Sequence, residues 1–578
     1  MTPVKSEVLD THEPLPGGSQ VHAGFDDAAF LPPAEQQIAR EHTERMSRWL
    51  HSWQQGVVPN PVESPDPRPF LAVAERSAKV CERLLTVLSP KAAVSAWWPA
   101  NSDARHLLSQ HTLLNRFLWV LAVGASGDSD DPAVLQRYFL HAGRWWTASN
   151  TADDYRVPSD GMSMAVQRAP GREFLSRTSS QVIRYNWVSR MICTEIGRQI
   201  EADDHYLAAL PQFTAANIDR SMGIAVQYGR LSDGSDLVVT PWTDPVSEFI
   251  AENLAKKAGE FAKKRFVDIA LSPELETRPW IAFTDGIAPI ALGTIRLGME
   301  RALLKAVDDK LLQHRNRGSH QLSKGELYER VSQECLRQSF HHLIGPQPPR
   351  PMTIAIPGEN NPDIDCALIN RRVQLIGEVK AMEVPANTTS VDRAFTQQVS
   401  KVVDQLRKRL EALENGTPIV DGAGVTYTDS GHTVALGIVL HNYGASLSYP
   451  EMLQLLPTAV VDKRIAVADL HAWIIILTTM TSFQELRDYL KFRCHLLELG
   501  VTTNEECDMA VAFHNPQRGK NVIRYFRAKL KEHPDLEKAL YLPGMWISAT
   551  NAADQPRPTD PGVWKREFYD AAQTVPMM

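Results

Sequence analysis

The 578-residue sequence lacks most of the patterns that assign a chain to a class. Its six cysteines are scattered, with no CxxC pair and no cysteine–histidine spacing of a zinc site, which favours reduced thiols in a cytoplasmic protein. No apolar run is long enough to span a membrane, and residues 1–20 contain no apolar core of a signal peptide. We therefore expect neither membrane insertion nor secretion. The longest apolar run, from Ala472 to Met480, is predicted to be a strand.

Other absences exclude kinds of chemistry. There is no glycine-rich phosphate loop, so ATP use is not expected, and no GxSxG nucleophile motif. The formal net charge of −7 excludes a protein that coats nucleic acid through bulk positive charge, but it leaves room for a local basic groove. Such a length predicts about two to four domains.

The chain changes character along its length. Residues 1–33 are rich in proline and glycine and are predicted to be a flexible arm. Residues 34–317 repeat apolar residues at spacings of three and four, which predicts a mostly helical region of one or two subdomains that senses, binds or assembles. A second copy or a regulatory partner could bind there. Residues 318–500 alternate between helix and strand patterns, and residues 501–578 are predicted to be a helical extension with a proline-rich tail.

The order of elements after residue 318 predicts the fold class. A helix follows Ser323, a plausible N-cap, and a short strand begins at Arg350. Two strands joined at Arg371 and Arg372 come next, then a long helix and further apolar strands. The order α-β-β-β-α-β predicts an α/β sandwich around a central mixed sheet, preceded by the helical region.

Acidic residues lie within two of the predicted strands. Alternation places Asp363 and Asp365 on one face of the first strand, and Glu378 and Lys380 on one face of the second. Convergent carboxylates repel and are costly to bury unpaired, so they need a cation between them. Oxygen ligands suit Mg²⁺ or Mn²⁺, and the carbonyl of Val379 could add another oxygen. Such an ion activates water and stabilises charge on a phosphodiester.

The same residues resemble the motif of a known superfamily. PDID, with EVK beginning 13 residues after Asp365, is similar to the Asp…Glu-x-Lys motif of the PD-(D/E)xK nucleases, whose core is the restriction-endonuclease fold. The resemblance implies that Asp365 and Glu378 are metal ligands and that Lys380 is catalytic. The Pro-Asp pair itself points to Asp363, so either aspartate could be the main ligand.

The resemblance extends to both sides of the motif, over roughly residues 318–480. Upstream, KGELYERV is similar to the helix that often opens this core, which makes Glu329 an additional ligand, often through water. Downstream, QQVSKVVDQLRKR is similar to the helix that carries a site-facing glutamine or lysine, here Gln398 or Lys401, which would touch water or phosphate.

The resemblance implies a Mg²⁺-dependent nuclease, with DNA the expected substrate because most of the superfamily cuts DNA. An RNase on the same core, and a non-catalytic nucleic-acid-binding or scaffold protein with a degenerate site, stay open as alternatives. Fusion of the core to a large helical region also resembles regulated bacterial anti-phage effectors, in which that region would restrain the nuclease.

Two basic stretches are weaker candidates for contacting nucleic acid. Residues 256–266 could follow a phosphate backbone, although a solvated helix face is the more typical interpretation. Residues 407–409 are three cations near the predicted carboxyl end of the long helix. Positive charge is stabilising there whether or not a ligand is bound, so these residues need no nucleic acid to explain them.

Overall fold

The computed structural model describes the chain in segments. They are residues 30–54, 63–96, 108–155, 186–229, 239–315, 322–344, 349–356, 358–359, 363–381, 388–440, 464–499, 501–502 and 506–514, with short pieces between 523 and 541. The predicted arm, residues 1–33, lies almost wholly outside them, as does most of the predicted tail.

The helices and strands alternate unevenly along the chain. The helices are α1 Pro33–Gln54, α2 Arg68–Leu85, α3 Ala92–Ser95, α4 Leu108–Gly124, α5 Pro132–Tyr155, α6 Asn186–Glu201, α7 Asp204–Ala209, α8 Ala215–Gly229, α9 Pro245–Asn253, α10 Phe266–Ala270, α11 Glu274–Thr277, α12 Leu292–Arg315, α13 Lys324–Ile344, α14 Thr388–Glu414, α15 Leu470–Thr479, α16 Phe483–Glu498 and α17 Glu506–His514. The strands are β1 Thr240–Pro241, β2 Ala255–Lys257, β3 Trp280–Ala282, β4 Gly286–Ala288, β5 Arg350–Ile354, β6 Asp363–Asn370, β7 Arg372–Lys380, β8 Ile419–Val420, β9 Thr426–Tyr427, β10 Asp429–Val439, β11 Ile465–Asp469, β12 Val501–Thr502 and β13 Leu540–Tyr541.

The chain divides into two compact units, and the first is helical. It comprises residues 1–96, 120–160 and 259–270. Its described part is held together by the packing of α2 on α5. Aromatic side chains fill this core: Phe70 and Tyr138 are fully buried, and Phe266 meets Trp145 edge-on with ring centroids 5.1 Å apart.

The second unit contains all the strands named above. It comprises residues 97–119, 161–258 and 271–578, so the boundary predicted at residue 318 falls inside it. Helices from before that boundary pack on α13: the hydroxyl of Tyr206 donates to the carbonyl of Ser323 at 2.7 Å, and Arg330 pairs with Asp203 at 2.8 Å. The opening helix of the predicted core therefore shares its packing with the helical region.

A mixed seven-stranded sheet forms the centre of the second unit, in the order β11-β10-β7-β6-β5-β8-β9. Strands β5, β6 and β7 are antiparallel neighbours, and β10 joins β7 in parallel. The connection from β7 to β10 passes through α14, because parallel neighbours need a long crossover. Helix α14 packs its apolar stripe, including Val402 and Leu406, against Ile376 and Val439 of the sheet. The predicted helix–strand order is confirmed through β10, with the short pair β8–β9 inserted before it.

The β6–β7 hairpin turns tightly at the predicted position. Asn370 pairs with Arg372, so Arg371 is the turn residue, and its φ of 61° lies in the left-handed region. Further along, Cys366 faces Gly377, where an added Cβ would collide with the cysteine sulfur. The strands therefore approach closely near the end opposite the turn.

The strand predicted for the apolar run from Ala472 to Met480 is wrong. Residues 465–469 form β11, but the apolar run that follows forms helix α15. The change comes at Asp469, whose side chain accepts a hydrogen bond from the N–H of Ala472 at 2.8 Å and caps the helix. A continuous apolar run has no period that separates a buried strand from a buried helix. Within the described residues, no helix is both long and apolar enough to cross a membrane.

The first basic stretch is not one helix. Residues 256–266 were expected to form a helix face, but α9 ends at Asn253, strand β2 follows, and Gly259 has a φ of 71° before α10 begins. Three of its cations have local partners: Lys256 pairs with Glu274, Lys264 lies over the Phe261 ring, and Arg265 pairs with Asp268. These contacts favour the interpretation as a solvated surface over a phosphate track. None of the six cysteines forms a disulfide, as the sequence predicted.

Candidate functional site

Three of the predicted site residues, Asp365, Glu378 and Lys380, meet at the end of the β6–β7 hairpin away from its turn. The ammonium nitrogen of Lys380 lies 3.8 Å from Oδ2 of Asp365 and contacts Oε1 of Glu378. The backbone N–H of Val379 donates to Oδ2 of Asp365 at 2.6 Å. The alternation of side chains along two strands therefore brings an acid of β6 together with an acid and a lysine of β7.

Helix α14 adds a residue that the sequence analysis did not assign to the site. Nη1 of Arg409 contacts Oε2 of Glu378, and the two side chains are only 4% and 1% exposed. Because Lys380 contacts Oε1, both carboxylate oxygens of Glu378 face cations. Burial lowers the pKa of Arg409, and the negative charge of Asp365 opposes that shift.

The position of Arg409 carried a signal that was missed. The apolar stripe of α14 recurs at spacings of three and four, through Val399, Val402 and Leu406 to Leu413, and Arg409 falls within that stripe. A cation on the buried face of a helix needs a buried acid. Residues 407–409 were expected to be stabilised at the carboxyl end of α14. The Arg409 side chain instead pairs with Glu378 of strand β7.

Helix α13 approaches the cluster from its first turns. Nε2 of Gln333 donates to the backbone carbonyl of Asp365 at 2.6 Å. Glu329 lies one turn earlier on the same helix face. Burial raises the pKa of Glu329 to about 7, and the negative charge of Asp365 adds to the rise. Burial also raises the pKa of Asp365, against the influence of Lys380. Both shifts have burial as their first cause, because burial disfavours the ionised form of each acid.

The remaining predicted site residues contribute less to the cluster of Asp365, Glu378 and Lys380. Asp363 begins β6 and is exposed, and it acts on Asp365 as a neighbouring negative charge. The ion pair with Lys380 is formed by Asp365. On α14, Lys401 is exposed, and the side chain of Gln398 lies outside the described part of the chain. Val379 contributes its backbone N–H to the cluster.

The sequence predicted that the acids of this cluster hold a divalent ion. Within the described segments, no three acidic, histidine or cysteine side chains are grouped closely enough to form a metal-binding set. The carboxyl oxygens of Asp365 and Glu329 have the chemistry that a hard cation prefers. Each oxygen of Glu378 already meets a cation, Lys380 or Arg409, so its charge is balanced by side chains of this chain. The predicted metal site stays a prediction.

Comparisons of this chain with protein-family models, with curated proteins and with solved structures found no match. The case for a function therefore depends on the contacts among Asp365, Glu378, Lys380 and Arg409 and on the chemistry that they permit.

The pKa of Glu329 predicts how stability depends on pH. The pKa is about 7 in the folded chain and near 4.5 when the carboxyl is solvated, so the native state binds this proton more tightly. Its contribution to stability is complete below pH 4.5 and is lost as the pH rises through about 7. We expect the free energy of unfolding, measured in urea with EDTA, to fall by roughly 1–2 kcal/mol between pH 5 and 8, after allowance for partial solvent screening.

Replacing Glu329 with glutamine should flatten this pH dependence. The matched control is Glu411→Gln, which removes an exposed acid of α14 and should leave the slope unchanged. Equal slopes for the wild type and Glu329→Gln would contradict the assignment.

Proposed function

We propose that this chain is a metal-dependent nuclease that hydrolyses phosphodiester bonds, with DNA favoured over RNA, on a restriction-endonuclease-like core. The observation that carries the proposal is that Lys380 lies within ion-pair reach of both Asp365 and Glu378, at the end of two antiparallel strands. The parallel addition of β10 next to β7, after the crossover helix α14, supports the same core.

The contacts of each residue suggest its role. The N–H of Val379 fixes the Asp365 carboxylate, and Gln333 fixes the backbone of Asp365. Asp365 and Glu329 would hold a divalent ion, which when bound supplies an activated water and stabilises negative charge on the phosphate. The side chain of Lys380 is 20% exposed, against 4% for Arg409, so Lys380 is the cation of the cluster that a substrate phosphate can reach. A fixed cation there would stabilise the charge that develops during hydrolysis.

A second candidate is a non-catalytic nucleic-acid-binding or scaffold protein on the same core. The observation that favours it is the pairing of Glu378 with two cationic side chains, which neutralises the acid with no metal ion. An anti-phage role, and restraint by the helical region, stay predictions.

The proposal predicts metal-dependent cleavage that needs Lys380. Purified full-length protein is incubated with plasmid, linear duplex, single-stranded DNA and RNA, in Mg²⁺, Mn²⁺ or EDTA. We expect cleavage with the metals and none with EDTA, and at least about a hundredfold slower cleavage by Lys380→Met, because one fixed charge at the reacting phosphate is lost. The control Lys491→Met removes a lysine of α16 that is 56% exposed and should cleave normally.

The pattern of substrates decides between the alternatives. Cleavage of RNA alone would identify the protein as an RNase. If the wild type cleaves nothing but retains nucleic acid in a mobility-shift assay that Lys380→Met does not change, the non-catalytic protein is the better account.

A further inference from the structure

A strongly basic stretch of sequence follows helix α17. Residues 515–531 contain six lysines and arginines and no aspartate or glutamate. The whole chain has the opposite balance, with 68 acidic residues against 61 lysines and arginines. Local charge decides which anions a surface attracts, so this stretch can bind an anion although the net charge of the chain is negative.

Three of these cations lie in the part of the chain that the structure describes. Residues 523, 524, 527, 528 and 531 are helical, and the side chains of Arg524, Arg527 and Lys531 are exposed. Their spacings of three and four residues are those of one helix face. Ile523, to one side of this face, is half-buried. Arg524, Arg527 and Lys531 therefore form a row of positive charge that faces solvent, the basic row.

The basic row has no acid beside it. Several exposed cations elsewhere on the second unit and the first pair with a neighbouring carboxylate: Arg190 with Asp219 at 2.7 Å, Arg265 with Asp268 at 2.7 Å, and Lys491 with Asp488 at 4.0 Å. Within the described segments, the three cations of the basic row have no ion-pair or hydrogen-bond partner. An internal ion pair would have to be broken before the cation could bind an external anion, so the basic row binds one at lower cost.

Helix α17 attaches this stretch to the second unit. Glu506, in the first turn of α17, accepts hydrogen bonds from the side chains of Tyr489 and Arg493 of α16, and α17 also packs on α15. The chain from His514 to Arg524 can span at most about 36 Å. A ligand bound by the basic row is therefore held close to the unit that contains the candidate site.

We propose that Arg524, Arg527 and Lys531 bind the phosphate backbone of nucleic acid. The inference rests on the proposed nuclease function and adds a contact with the substrate outside the cluster of Lys380. A row of cations suits a repeating polyanion, because each cation can meet a separate phosphate and release its counterions. An anionic membrane is the less favoured partner, because a helix that lies on a membrane buries its apolar side chains in lipid, and Ile523 is already half-buried in the protein.

The salt dependence of DNA binding tests the basic row. Fluorescence anisotropy of a short DNA duplex is measured with full-length protein in EDTA, which prevents metal-dependent cleavage, over a series of KCl concentrations. We expect the triple variant Arg524→Gln, Arg527→Gln, Lys531→Gln to bind at least about tenfold more weakly at low salt. The slope of log affinity against log salt should fall by about 2–3, since each lost phosphate contact removes about 0.9. The loss should be equal for duplexes of unrelated sequence.

A control variant removes the same charge from other places on the surface. It combines Arg190→Gln, Arg265→Gln and Lys491→Gln, three exposed cations that have acidic partners. Its net charge equals that of the triple variant, but it should bind DNA with the wild-type slope. Equal losses in the two variants would show that net charge governs binding, and the basic row would have no special role.

Further outcomes separate this inference from the proposed function. If the wild type cleaves DNA and the triple variant binds it with the wild-type slope, the inference fails and the nuclease proposal stands. If the wild type binds DNA without cleaving it and the triple variant loses the expected slope, the inference stands with the non-catalytic candidate. If the wild type neither binds nor cleaves DNA, both proposals fail. Sedimentation with phosphatidylserine vesicles covers the other partner: vesicle binding that the triple variant loses, with DNA binding unchanged, would assign the basic row to a membrane.

Discussion

Replacing Arg409 with methionine is expected to lower the free energy of unfolding by roughly 3–5 kcal/mol. Methionine keeps most of the buried length of the side chain but removes the guanidinium. Glu378, whose side chain is 1% exposed, would then keep one cation, Lys380, in place of two. Removing one partner of a buried ion pair is far more damaging than removing both, because the remaining charge stays in a medium that solvates it poorly.

Urea unfolding of the single and double variants measures this pair directly. Glu378→Gln should also destabilise, and the combination with Arg409→Met should be destabilised by less than the sum of the two, since both partners of the buried pair are then removed together. The control is Arg407→Met on the same helix, where the arginine is 37% exposed and pairs with Asp404 at 3.3 Å, so the expected cost is below about 1 kcal/mol. Strict additivity of Arg409→Met and Glu378→Gln would show that the pair does not form.

The acidic end of the hairpin was predictable because strand periodicity is local. Two short runs joined at Arg371 and Arg372 could only pair as neighbours, and alternation then placed Glu378 and Lys380 on one face. The helix that packs on these two strands was harder to predict, because the sequences of the strands do not indicate which helix covers them. Arg409 lies 31 residues beyond Glu378, and only the apolar stripe of α14 showed that this arginine was on a buried face.

Two other predictions, the strand after Asp469 and the boundary at residue 318, differ from the structure because they depend on tertiary contacts. The run after Asp469 is apolar at every position, so it lacked the period by which a helix is distinguished from a strand, and only the capping aspartate marked the change. The boundary at residue 318 was placed where the helical pattern gives way to alternating helix and strand patterns. The sequence could not show that Tyr206 would bind Ser323 and Asp203 would bind Arg330, both beyond this boundary.

Trp473 is the side chain by which α15 supports the sheet behind the site. It is fully buried, and its indole N–H donates to the carbonyl of Gly437 at 2.9 Å. Gly437 lies on β10 directly beside Glu378 of β7. A Cβ on Gly437 would collide with Val402 and Val467, so the strand has little room to shift when its neighbours change.

Replacing Trp473 with alanine is therefore expected to lower the free energy of unfolding by roughly 3–5 kcal/mol through the cavity alone. Loss of the hydrogen bond to Gly437 should add about 0.5–1.5 kcal/mol. Trp473→Phe keeps most of the ring volume and should show chiefly the smaller loss, which separates packing from hydrogen bonding. The control Trp242→Ala removes an indole that is 43% exposed and should cost about 1 kcal/mol or less. If Trp473→Ala cost no more than this control, residues 470–479 would not pack as the buried helix α15, and the strand predicted for this run would regain support.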